Sequence, residues 1–266
     1  MKKLLSVLLI VLLASTLAFA AGSKESSSST KLVVGATPEP HAAFLNLIGG
    51  ELAKQGIALE VREFTDYVTP NVALNSGELD ANFFQHIPYL EDQIASQGYK
   101  LANAGGIHIE PFALYSKKVS KLADLKSGAT IAIPNDPTNG GRALLLLQSA
   151  GLITLKDGAG LSATVLDIAS NPKNFKFSEL EAATLPRVLA DVDLAAINGN
   201  YAIPAGLTAT RDGLFIEGAD SPYVNVIAVR AGDENKPAIK ALVEALKSKV
   251  VQDYVAATYV NGEVVL

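Results

Sequence analysis

From residue 31 onward, short apolar runs alternate with segments whose apolar residues recur at helical spacing. Few folds accept that pattern. A buried parallel strand reads as a continuous apolar run, and it must be followed by a crossover helix before the next strand can pair. Residues 31–35, 58–64 and 79–84 read as strands. They are separated by a helix over 42–54, with a stripe of Phe44, Leu45, Ile48 and Leu52, and by a short helix over 69–75 that Gly77 stops. A third helix covers 88–97. The pattern resumes with a strand at 129–133, a helix at 140–150 and a strand at 193–197. A strand at 223–230 and helices over 236–247 and 252–259 finish the chain. The fold class expected is α/β, with mostly parallel sheets covered by helices.

The elements divide into two blocks, and the terminal strand and helices need a sheet to cover. The expected organisation is therefore a lobe of residues 31–116 plus 222–266 and a second lobe of residues 117–221. The two are joined by crossings near 115–118 and 217–223, with a cleft between them. Ligands of open α/β sheets sit beyond the carboxyl ends of strands, which is where candidate residues are sought.

The first twenty residues carry a different message. Lys2 and Lys3 precede an apolar run over 4–13, and Ala18-Phe19-Ala20 offers small residues for cleavage, the three-part form of a secretory signal peptide. Residues 21–30 (AGSKESSSST) read as a flexible Ser-rich linker. A protein exported across the cytoplasmic membrane, periplasmic or at the cell surface, is expected.

Composition then excludes whole classes of chemistry. The chain has no cysteine, which removes disulfides, Cys-ligated metals and thiol catalysis. A net charge of −5 argues against nucleic-acid partners. No P-loop, GxGxxG, GxSxG or HExxH occurs, so neither an enzyme nor a cofactor is expected. The spacings of His41, His86, His108 and Glu110 match no metal motif, so no metal site is expected either.

Polar and aromatic residues gather after the strands. Phe64-Thr65-Asp66-Tyr67 follows the second. In Asn82-Phe83-Phe84-Gln85-His86, alternation places Asn82, Phe84 and His86 on one face and Phe83 on the other, with Phe84 and His86 toward the cleft. His108 and Glu110 share a face, either lining the cleft or satisfying each other at a strand edge. In residues 133–142, Asn139 is placed to cap a helix, and Gly140 and Gly141 to let a ligand approach the backbone. Arg142 offers a fork for a carboxylate or, equally, for a surface Asp or Glu. Asn198-Gly199-Asn200 is either a source of amide donors and acceptors or an ordinary turn. Asn225 lies beside the second crossing, in the cleft or on an edge.

Seven segments, FTDYV (64–68), FFQHIPYL (83–90), HIEPFALYS (108–116), IPNDPTNGGRAL (133–144), LPRVLADVD (185–193), INGNYA (197–202) and DSPYVNVI (220–227), resemble in order the methionine-binding lipoprotein family. These are the NlpA-type substrate-binding proteins of methionine ABC importers. The resemblance implies a two-lobed periplasmic-binding-protein fold of type II with two hinge crossings, acting as a monomer. It implies capture of L-methionine and delivery to the importer's membrane permease and ATPase. Carried onto this sequence, it sets Arg142 and Asn139 on the ligand carboxylate and Asn198 and Asn225 on the polar cluster, with Asn200 beside them. It sets Tyr67, Phe84, His86 and His108 around the side chain, with Tyr115 and Glu110 as neighbours. D-methionine, a methionine derivative or a short peptide are the alternative ligands, and metal held by His86 and His108 a further one. The family's lipobox cysteine has no counterpart here, so ordinary cleavage rather than lipid anchoring is expected.

Overall fold

The computed structural model describes residues 29–218 and 221–266. The signal peptide, most of the Ser-rich linker and two residues of the second crossing lie outside the described residues. Twelve strands are seen among the described residues. They are β1 (Thr30–Ala36), β2 (Ile57–Glu63), β3 (Ala81–His86), β4 (Leu101–Ile109), β5 (Ala113–Tyr115), β6 (Thr130–Pro134), β7 (Thr154–Leu155), β8 (Ile168–Ser170), β9 (Lys176–Leu180), β10 (Leu194–Ile197), β11 (Gly213–Ile216) and β12 (Val224–Arg230). The longer helices are α1 (Ala43–Lys54), α2 (Thr69–Ser76), α3 (Ile87–Gln97), α4 (Pro137–Ser149), α5 (Pro237–Leu246) and α6 (Lys249–Thr258).

Two five-stranded sheets result, ordered β2-β1-β3-β12-β4 and β11-β5-β10-β6-β9, with β7 and β8 as a separate pair. In the first sheet β1 runs parallel to β2 and β3, while β12 inserts antiparallel between β3 and β4. In the second, β6 runs parallel to β9 and β10, and β5 pairs antiparallel with β10 and β11. Each sheet is thus mostly parallel, as expected, with one reversed strand, β12 in the first and β5 in the second, each arriving from the other side of a crossing. Both sheets are buried on two faces. In β1, Leu32, Val34 and Ala36 pack under the buried α1 stripe of Phe44, Leu45, Ile48 and Leu52, together with α5 and α6. Val33, between them, joins Leu74, Leu79 and Leu90 on the opposite face. That two-sided burial explains the apolar run.

The pairing of β5 moves the first crossing. Ala113–Tyr115 belongs to the second sheet, so the chain passes over at Glu110–Phe112, ahead of the 115–118 expected. The two crossings are tied to each other, since the Glu217 N–H donates to the Phe112 carbonyl at 2.8 Å.

A bulge in β3 sets the direction of its side chains. Val226 pairs with Gln85 but Ile227 with Phe83, leaving Phe84 as the extra residue. Strict alternation fails as a result. Asn82 does not share a face with Phe84 and His86; its amide instead joins Gln85 and Asn71 in a buried network of bonds between 2.8 and 2.9 Å. Phe83 enters the core as expected.

Helix α4 begins on Pro137 with Asp136 as its cap, whose carboxylate accepts the Asn139 N–H at 2.9 Å. Asn139, expected to cap, is three residues inside the helix. Its neighbours Gly140 and Gly141 make room for protein rather than ligand. A Cβ on Gly141 would stand 2.1 Å from the Leu161 carbonyl oxygen, and one on Gly140 would stand 3.0 Å from that of Pro134. Because backbone atoms block the Gly141 position, Gly141→Ala is expected to lose about 1–3 kcal/mol of stability. Urea unfolding checks this, and an unchanged midpoint would contradict the packing described.

Candidate ligand-binding site

Between the two sheets lies a narrow, partly enclosed cavity. Tyr67, Phe84, His86, Asn139, Arg142, Asn198, Asn200 and Asn225 all line it. They come from the end of β3, from segments that follow β2, β6 and β10, and from β12, and converge because both sheets direct their strand ends at the gap. Gln85, Tyr89, Glu110 and Gly199 complete the lining. His108 stands behind Glu110 rather than on the wall. Tyr115, expected nearby, is buried in the apolar cluster under the second sheet.

One wall is aromatic. Tyr67, Phe84 and Tyr89 pack with ring centroids 5.9 Å apart, and Tyr201 lies 5.0 Å from Tyr67. The Tyr67 hydroxyl reaches across the gap to donate to Asn200 Oδ1 at 2.5 Å, and the Tyr201 hydroxyl donates back to the Thr65 carbonyl at 3.1 Å. These bonds hold the two sheets together over the cavity.

The polar wall is a chain of amides. His86 caps α3 by accepting the Tyr89 N–H on Nδ1, so its ring proton sits on Nε2 and donates to Asn139 Oδ1 at 3.0 Å. The same oxygen accepts from Asn198 Nδ2 at 2.7 Å, while Asn139 Nδ2 donates to Asp136. This exhausts Asn139 but not its neighbours. Asn198 Oδ1 and Asn200 Nδ2 are buried and have no partner among the described residues. Buried polar atoms are seldom left so, and here an unmatched acceptor and an unmatched donor face one cavity.

Charge stands at both sides. Arg142, 4% exposed, donates from Nε and Nη2 to the Glu217 carboxylate at 2.8 and 2.5 Å, and from Nη2 to the Glu110 carbonyl at 3.2 Å. Its guanidinium lies 4.8 Å from the Phe112 ring centroid and 4.1 Å from that of Tyr223. The carboxylate pairing left open by the sequence is therefore realised on one edge of the fork; Nη1 has no partner among the described residues.

Glu110 is buried against Gly199, where a Cβ would come within 2.7 Å of the glutamate's own Cβ. Its carboxylate accepts from His108 Nε2 at 2.9 Å and lies 3.3 Å from His41 Nε2. Burial raises the Glu110 pKa, partly offset by His41, the Asn200 N–H and Arg142. Burial also lowers His41 to about 4 and His108 to about 3, so both rings are neutral at physiological pH. The ligating atoms of His41, His108 and Glu110 lie within 4.8 Å of one another, and His86 is outside that cluster. The expected alternative of metal held by His86 with His108 is therefore corrected: His86 is committed to Asn139 and Tyr89. In the sequence, His41, His108 and Glu110 stand together with His86 as candidate ligands whose spacings match no metal motif; the cavity residues it does not single out are Gln85 and Tyr89.

Residues 32–266 match the family described as NlpA lipoprotein. The chain is 43% identical over 247 residues to a probable D-methionine-binding lipoprotein of Pasteurella multocida, covering 92% of this chain and 89% of that one. It is 49% identical over 213 residues to the D-methionine-binding lipoprotein of Escherichia coli, covering 79% of each. The solved structure of a nutrient binding protein from Burkholderia cenocepacia bound to methionine superposes with a TM-score of 0.85 at 50% identity over 88% of this chain and 98% of that one. With this match over nearly all its described length and the same two-sheet, periplasmic-binding-protein architecture, the chain belongs to the NlpA lipoprotein family of binding proteins, which are not enzymes.

Proposed function

We propose that this protein captures L-methionine outside the cytoplasm, as a monomer, and delivers it to the permease and ATPase of an ABC importer. The observation that carries the reading is the single cavity in which Arg142 and Glu110, of opposite charge, flank the unmatched Asn198 Oδ1 and Asn200 Nδ2 beside an aromatic wall. A zwitterion answers each of these. Its carboxylate takes the remaining Arg142 donor and Asn200 Nδ2; its ammonium takes Asn198 Oδ1, Asn225 and Glu110. A buried charge is tolerable only when paired in this way. A thioether side chain packs against the edges of Tyr67, Phe84 and Tyr89. The methionine-bound Burkholderia relative supports the ligand class. The names of the curated relatives favour D-methionine as the second reading.

Calorimetric titration with L-methionine, D-methionine and other amino acids tests this. L-methionine is expected to bind most tightly; preference for D-methionine would select the second reading, and no binding of either would refute both. Arg142→Ala is expected to weaken methionine binding by about 2–5 kcal/mol, roughly thirtyfold or more in Kd, since it leaves the ligand carboxylate buried and unpaired. Unaltered binding by that variant would move the carboxylate elsewhere.

The raised pKa of Glu110 gives a pH dependence with a definite sign. The ionised carboxylate pairs with the ammonium, so affinity is full above the Glu110 pKa and declines as pH falls through it. The decline starts closer to neutrality than the ordinary carboxylate value of 4.5 permits. His41 and His108, at about 4 and 3, stay neutral across that range. Glu110→Gln is expected to bind more weakly and to flatten the profile; an equally steep profile in that variant would assign the titration to another group.

A further inference from the structure

Each contact of the Arg142 guanidinium described above is made by one of the two crossings. The first supplies the Glu110 carbonyl and the Phe112 ring; the second supplies the Glu217 carboxylate and the Tyr223 ring. Glu217 itself is held in place. Its N–H donates to the Phe112 carbonyl, and its Oε2 accepts from the Ser221 hydroxyl at 3.0 Å. The Tyr223 ring, which covers the guanidinium, also meets the His86 ring of the cavity wall at 4.9 Å.

We infer that Glu217, at the second crossing, is the positioning residue that sets the cavity's affinity for a carboxylate by gripping the Nε–Nη2 edge of Arg142 and presenting Nη1 to the ligand. The inference deepens the proposed function and rests on Arg142 taking the ligand carboxylate. Glu217 is not a competitor for the ligand's place. It occupies the side-on edge of the fork in two-bond geometry, while the remaining donor nitrogen belongs to a residue that lines the cavity. An arginine side chain has several rotatable bonds, and stacking between two rings restrains the plane of its guanidinium but not the rotation within that plane. The carboxylate on one edge removes that last freedom. The selectivity of the cavity for a free acid over its amide then depends on a residue outside the cavity lining.

The test compares L-methionine with L-methioninamide, which keeps the ammonium and thioether but lacks the carboxylate. Titrations are run on the wild-type protein, Glu217→Gln and Arg142→Ala, each with a melting curve to confirm folding. Glu217→Gln is expected to lose about tenfold or more in affinity for methionine while binding the amide nearly as before, so the acid-to-amide ratio collapses. Equal losses for both ligands, or no loss, would overturn the inference and leave Glu217 a purely structural partner. Should Glu217→Gln fail to fold, Ser221→Ala, which removes the hydroxyl that donates to Glu217 and accepts the Tyr223 N–H at 3.3 Å, is expected to lower the same ratio to a smaller degree; an unchanged ratio there overturns the inference equally. The Arg142→Ala arm separates the two levels. If it leaves the acid-to-amide ratio unchanged, the assignment of the carboxylate to Arg142 fails and the inference falls with it. If it collapses the ratio while Glu217→Gln does not, the assignment stands and only the positioning role is lost.

Discussion

A guanidinium buried to 4% exposure is tolerated only where its donors and its charge are met, and around Arg142 this requirement organises the centre of the molecule. The partners come from segments far apart in sequence, residues 110–112 and 217–223, which are also the two places where the chain passes between sheets. Satisfying one side chain of α4 therefore fixes both crossings against each other and against the second sheet. The first of these segments delivers Glu110 to the cavity, and β12, which follows the second, delivers Asn225. The binding chemistry and the connection between the sheets are built from the same residues.

The amide wall shows how the fold prepares a polar surface without a free charge. Asp136 caps α4 and, by accepting from Asn139, fixes that amide so that its oxygen accepts hydrogen bonds from His86 and Asn198. Each member is held by the one before it, and the chain stops at Asn198 Oδ1, where the protein supplies no partner among the described residues. On the other side, Tyr67 orients Asn200 in the same manner and leaves Nδ2 unmatched. Such preorganised dipoles need little rearrangement to receive a ligand, which is the economical way to hold a small zwitterion tightly.

Much of this was legible in the sequence, and for a local reason. Strand ends in open α/β sheets carry ligands, and the polar residues after β2, β6 and β10 stand out against apolar runs, so Tyr67, Arg142, Asn198 and Asn200 could be singled out by position. What stayed hidden depends on tertiary pairing. The Phe84 bulge appears only when β3 meets β12, so alternation misplaced Asn82. Strand β4 (LANAGGIHI) lacks the β-branched run that marks a strand, and it owes its conformation to β12 beside it. Gly140 and Gly141 look like a ligand-approach pair but answer the carbonyls of Pro134 and Leu161. Glu217 carries no motif at all; its meaning arises from an arginine 75 positions away.

The account stands on one placement, a zwitterion lying between Arg142 and Glu110 with its side chain on the tyrosine and phenylalanine wall. A crystal structure of the protein grown with L-methionine tests it most directly. The account predicts the ligand inside this cavity, its carboxylate on Arg142 Nη1 and Asn200 Nδ2, its ammonium on Asn198 Oδ1 and Glu110, and its sulfur against Tyr67 and Phe84. Methionine bound outside the cavity, or bound within it with the carboxylate turned away from Arg142, would contradict it.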